Sequence, residues 1–134
     1  IENIWDKIQD IDTLREICKP KASFIACDDS PIQWKEGKTF VFKMYLHGFL
    51  PVGRHTINVV KMDKTSREID TKEYDNTVVI WNHYIKMEEI SQQVTRYTDT
   101  VDLYAGCLTS ITAWWTLKFY KHRQRKWQKI AKSL

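Results

Sequence analysis

The chain is short of the residues that punctuate or brace a fold. Its four glycines are scattered, so no glycine-rich loop is present to cradle a phosphate. There is no GxSxG elbow for a serine nucleophile. Its three cysteines, Cys18, Cys27 and Cys107, are odd in number, and no pair has CxxC spacing. That excludes a disulfide framework or a zinc site and reads as reduced thiols in a cytoplasmic protein. No apolar run approaches the ~20 residues needed to span a membrane. The opening Ile1-Glu2-Asn3-Ile4-Trp5 is neither basic nor followed by an apolar stretch, so no signal peptide is read there. The absence of an initiating Met reads as a segment of a longer chain. Acidic residues are missing from Lys118 onward, where seven basic residues stand alone.

What is there fits one globular domain over residues 1–134, long enough to bury a core. Six Trp, six Tyr and five Phe are many for this size, and large aromatics fill cores or line pockets. The net charge of +4 is uneven: residues 1–117 carry 14 basic against 17 acidic residues. The excess positive charge therefore belongs to the last segment.

Apolar spacing at Ile4, Trp5, Ile8, Ile11, Leu14, Ile17 and Cys18 predicts an opening helix, broken near Asp10–Asp12 with Asp12 as the second N-cap and ended by Pro20. Strands are expected at 23–27, 39–46, 55–62, 67–74, 78–87 and 92–104. A turn is expected at Asp28-Asp29-Ser30-Pro31, and Gly48, Pro51 and Gly53 suggest a bend or bulge. Asp75-Asn76 suits a two-residue hairpin loop, and the last two strands should be joined near Glu89–Ser91. From Gly106 the pattern turns into one long helix, about 109–132, with Leu108, Ile111, Trp115, Phe119, His122 and Ile130 in one sector. Its N-terminal half is apolar enough to be expected to lie enclosed by its neighbours.

This order has a consequence. A sheet followed by one long helix must bury the helix on one sheet face, because neither has another partner of that size. A curved sheet gripping a helix leaves a cavity, and a cavity suggests a small apolar ligand. The expected architecture is α+β, a curved antiparallel sheet of about six strands with short N-terminal helices.

Several strings carry a family likeness: Pro31-Ile32-Gln33-Trp34-Lys35-Glu36-Gly37, His47-Gly48, Pro51-Val52-Gly53-Arg54-His55, Trp81-Asn82-His83, Tyr97-Thr98-Asp99 and Phe119-Tyr120-Lys121-His122-Arg123-Gln124. With the element order, they make the whole chain resemble the START-like, or SRPBCC, superfamily. That resemblance implies a helix-grip fold and a cavity for lipids, sterols, polyketides or plant hormones. It implies enzyme activity in only some members, such as aromatase/cyclases. Members usually carry a strand before the opening helix. Nothing precedes Ile1 here, so that strand is expected outside this sequence or replaced by another segment.

Strand alternation gathers the candidate chemistry. Val79, Trp81, His83, Ile85 and Met87 share one face, as do Tyr97, Asp99, Val101 and Leu103, and His55, Ile57 and Val59. If those faces meet the helix, His55, His83, Tyr97 and Asp99 stand among apolar walls, and Glu73 joins them if the register permits. Four readings are open: a self-satisfied polar network, orientation of a ligand's polar end, acid/base catalysis with His83 or His55 as base and Asp99 orienting it, or a metal site from both histidines and a carboxylate. The function expected is binding of a small hydrophobic ligand by His55, Trp81, His83, Tyr97, Asp99, Trp115 and Phe119. No cofactor or metal is expected. The alternative is a cyclase/dehydrase-like enzyme using His83 and Asp99. A second alternative is an interaction or nucleic-acid module using the basic stripe Lys118, Lys121, Arg125, Lys129 and Lys132, flanked by Tyr120 and Trp127. A solvated face suited to the helix dipole is the simpler reading of that stripe, with transient membrane contact a lesser one.

Overall fold

The computed structural model describes residues 1–27 and 33–134. The turn expected at Asp28-Asp29-Ser30-Pro31 lies outside the described residues. Helices α1 (Glu2–Ile8) and α2 (Ile11–Cys18) are separate, and Asp10 rather than Asp12 caps α2. Asp10 has extended backbone, so its carboxylate reaches over the first turn and accepts from Asp12 N–H at 2.9 Å. Asp12, already one residue inside, pairs with Arg15 at 2.6 Å instead.

Six strands follow: β1 (Ala22–Ala26), β2 (Thr39–Leu46), β3 (Leu50–Asp63), β4 (Glu68–Tyr74), β5 (Ile80–Ser91) and β6 (Val94–Tyr104). Each pairs antiparallel with the next, giving one sheet in sequence order. The bend expected near Gly53 is a bulge within β3. Met44 pairs with Gly53 and Tyr45 with Pro51, which leaves Val52 as the extra residue. Gly53 sits at φ +91°, where a Cβ is disfavoured.

Two connections differ from expectation. The β4–β5 link runs over residues 75–79 rather than being a two-residue turn. Asp75 closes it: its N–H donates to Val78 O, and its carboxylate accepts from Thr77 N–H at 2.9 Å and Val78 N–H at 2.7 Å. Val79, expected on the inner face, falls in this link and is exposed. The β5–β6 loop is Gln92–Gln93, later than Glu89–Ser91, with Gln93 at φ +65°. The tip of this hairpin is exposed on both faces, so no alternation marks where the strand ends.

A 3-10 turn (Gly106–Leu108) leads into α3 (Thr109–Ser133). Thr116, Phe119, Tyr120, Arg123, Trp127 and Ile130 are its buried residues. This corrects the expected sector. Phe119 and Ile130 are inside, but Leu108 and Ile111 are exposed, and Arg123 has moved from the basic group to the interior. The N-terminal half of α3 is not enclosed: Ile111, Trp114 and Leu117 are 64%, 58% and 58% exposed. Lys118, Lys121, Arg125, Lys129 and Lys132 are all exposed, as their spacing implied. No helix among the described residues is long and apolar enough to cross a membrane.

The core lies between one sheet face and the helices. Phe40, Phe42 and Met44 of β2 meet Trp5, Ile8, Ile17 and Cys18 of the N-terminal helices in one buried cluster. Trp34 packs edge-on to Phe40 and Phe42 at ring separations of 4.7 and 6.1 Å.

Candidate functional site

The register brings the polar strand residues together. Phe42 pairs with His55, Ile57 with Glu73, Thr71 with His83, and Ile85 with Asp99. Because directly paired residues share a face, His55, Glu73, Thr71, His83 and Asp99 all project toward α3. Glu73 thus joins the cluster, as one register allowed.

They form a chain of charge-assisted contacts. His55 donates from Nδ1–H to Asp75 Oδ2 at 3.1 Å and from Nε2–H to Glu73 Oε1 at 2.8 Å. An ionised carboxylate can only accept, so both ring nitrogens carry protons and His55 is a cation. Burial opposes that charge, but the bonds to Asp75 and Glu73 outweigh it and push the pKa up to about 9. Burial likewise pushes Glu73 and Asp75 up, but the His55 bond leads the contacts that hold both below the ordinary carboxylate range. Thr71 Oγ1–H donates to Glu73 Oε2 at 2.6 Å.

The second histidine faces the other way. His83 Nε2–H donates to Asp99 Oδ1 at 2.7 Å, and Gln124 of α3 donates to Asp99 Oδ2 at 3.2 Å. Burial pushes Asp99 up, while the His83 bond and charge hold it low, so it stays an acceptor. His83 Nδ1 stands 3.9 Å from Glu73 Oε2, too far to bond. The arrangement is an imidazole fixed at one nitrogen by a carboxylate, with the other nitrogen uncommitted.

Beneath α3 lies a cavity of about 80 Å³. Phe24, Met44, Ile57, Val59, Ile69 and Phe119 supply apolar wall, and His55, Glu73 and His83 reach it from the sheet. Trp81 lines it too, its indole N–H donating to Tyr120 Oη at 3.3 Å. Of the seven residues expected to bind a ligand, His55, Trp81, His83 and Phe119 line this cavity. Asp99 is not in the cavity wall but stands behind His83, bonded to it at 2.7 Å. Trp115 is outside the cavity wall, stacked on Phe119 at 4.9 Å and 15°. Tyr97 is also outside it, packed on Trp127 with ring centroids 5.6 Å apart.

No family model, curated protein or solved structure matches this chain.

Sequence reasoning missed Asp75, Arg123 and Trp127. Asp75 sat in an expected turn, and only the turn's length brings its carboxylate back to His55. Arg123 was counted with the exposed basic residues. Its position four residues before Trp127 and four after Phe119 was the available signal that it shares their buried face. Among the described residues, no three His, Cys, Asp or Glu side chains are arranged to hold a metal ion. Both nitrogens of His55 are already committed. Cys18 is fully buried, and burial pushes its thiol up to about 11, which keeps it an inert core residue.

Proposed function

We propose that this protein binds a small hydrophobic ligand in the cavity between the sheet and α3, in the manner of a helix-grip domain of START-like type. The observation that supports the reading is the cavity itself: apolar walls closed over a few convergent polar groups, which is how small-molecule sites are usually built. Its size constrains the occupant. About 80 Å³ is roughly half the ~150 Å³ that accommodates benzene in an engineered cavity. A sterol or diacyl lipid needs α3 to shift far, a single six-membered ring needs the walls to give by a smaller amount, and a short chain of a few heavy atoms needs the least.

Native mass spectrometry of the purified protein, followed by denaturing extraction, tests this. A stoichiometric adduct released as a small apolar molecule is expected. An apo mass, together with no stabilisation across a screen of compact apolar compounds, overturns the reading.

A second reading is favoured by the 2.7 Å His83–Asp99 bond. A histidine held by a carboxylate, with its other nitrogen uncommitted at a cavity, is the arrangement of a general base. On this reading the protein is a cyclase/dehydrase-like enzyme that removes a proton next to a carbonyl. Exchange of the α-protons of cyclohexanone in D₂O, followed by NMR, is expected to be faster with the protein than with its His83→Gln variant. Equal rates remove this reading.

A further inference from the structure

The two walls of the cavity differ in how their polar groups are satisfied. On the sheet wall His55, Glu73 and Thr71 bond to one another or to Asp75, and His83 is held by Asp99. On the helix wall two donors have no acceptors. Arg123 Nε and Thr13 Oγ1 are buried, line the cavity and make no hydrogen bond among the described residues, whereas the Trp127 indole N–H is turned to the Tyr97 hydroxyl. Arg123 is only 7% exposed, yet it forms no ion pair among those residues. Its guanidinium lies 4.8 Å from the Tyr120 ring centroid and 5.8 Å from that of Phe119. Asp99, whose charge it feels, is bonded instead to His83 and Gln124. An arginine cannot escape burial by losing its proton, and a buried donor without a partner is costly. Buried donors of this kind are rare unless something else completes them.

We propose that the cavity ligand carries an oxygen acceptor, a carbonyl or carboxylate oxygen, that is received by Arg123 with Thr13 as a further donor. The inference rests on the reading of this cavity as a ligand site and names the ligand's chemistry. Arg123 and His83 both line the cavity and both pack on Tyr120, at 4.8 and 4.9 Å from its ring centroid.

The test uses two probes of nearly one shape, cyclohexanone and methylenecyclohexane, and a larger anionic one, cyclohexanecarboxylate. Their affinities for the wild-type protein and for Arg123→Met are measured by NMR titration. The expected result is that the affinity ratio of cyclohexanone to methylenecyclohexane falls about tenfold or more in Arg123→Met. A fall confined to cyclohexanecarboxylate assigns the acceptor as a carboxylate. An unchanged ratio for both oxygenated probes, with all of them bound, overturns this inference and leaves the cavity reading intact. If none of the three binds the wild-type protein, both fall. Should Arg123→Met not fold, a crystal structure of the wild-type protein with cyclohexanone decides. An oxygen within hydrogen-bond distance of Arg123 supports the proposal, and a ring turned away from it overturns it.

Discussion

His55 is the residue with the largest predictable effect on behaviour in solution. Its pKa rises from the ordinary value near 6.5 in the unfolded chain to about 9 in the fold. The stabilisation it provides is therefore complete below pH 6.5 and lost as pH climbs through 9. At full loss this amounts to on the order of 3 kcal/mol. Glu73, Asp75 and Asp99 act in the opposite sense: depressed in the fold, they stabilise above their unfolded values and lose that contribution in acid. Maximum stability is expected between about pH 5 and 6.5. Urea unfolding at pH 6, 7.5 and 9 should show a steady decline, and His55→Gln should flatten it. A wild-type curve flat from pH 6 to 9 contradicts the His55 bridge. Strand alternation put His55 on one face with His83 and, in one register, Glu73, but its second partner was not readable from sequence. Its partner Asp75 comes from a loop, and loop geometry has no periodicity to read.

Strands and helices were legible wherever a face is buried. β2 was located to the residue because Phe40, Phe42 and Met44 alternate with exposed neighbours. The β5–β6 tip was misplaced because both its faces meet solvent, so alternation carries no information there. The same logic separates the outcomes of two substitutions. Phe42 is fully buried against Phe24 and Trp34, so Phe42→Ala should cost about 3–5 kcal/mol in chemical denaturation. Ile25, on the outer face of β1 and mostly exposed, should lose less than about 0.5 kcal/mol as Ile25→Ala. Gly53 belongs to the β3 bulge. Space for a methyl group exists, with Asn76 Nδ2 the nearest side-chain atom at 3.7 Å, so strain at φ +91° is what opposes Gly53→Ala. A loss of about 1–3 kcal/mol is expected, read as a lower denaturation midpoint with unchanged slope.

The whole molecule is asymmetric along α3. From Thr116 onward the helix is seated between the sheet and α2, while Ile111, Trp114 and Leu117 project into solvent. Their sequence is apolar on every side, and hydrophobicity alone cannot tell which side meets the sheet. What decides it is that Tyr120 and Trp127 are anchored through rings and a bond to His83, Trp81 and Tyr97. Trp114→Glu should accordingly leave unfolding free energy within about 0.5 kcal/mol of wild type. A drop of several kcal/mol would mean that this half of the helix is packed after all. The cavity was anticipated from element order and the polar groups of its sheet wall, His55, Glu73 and His83, from strand alternation, but Arg123 on the helix wall was not. An arginine in a run of basic residues reads as surface until the helix phase is known.

The edge-on approach of His55 to Trp81, 5.5 Å between ring centroids, has an optical consequence. A protonated imidazole beside an excited indole accepts an electron and shortens the emission lifetime, whereas a neutral one does so far less. Trp81 should therefore be dark while His55 is a cation and brighten as pH passes about 9. In a protein with six tryptophans, the Trp81→Phe variant isolates this component by difference. The fold thus carries its own light-emitting gauge of the His55 charge, set in the wall of the cavity where an arriving ligand would disturb it. A pH-independent Trp81 lifetime between pH 7 and 10 would show that the two rings do not meet as described.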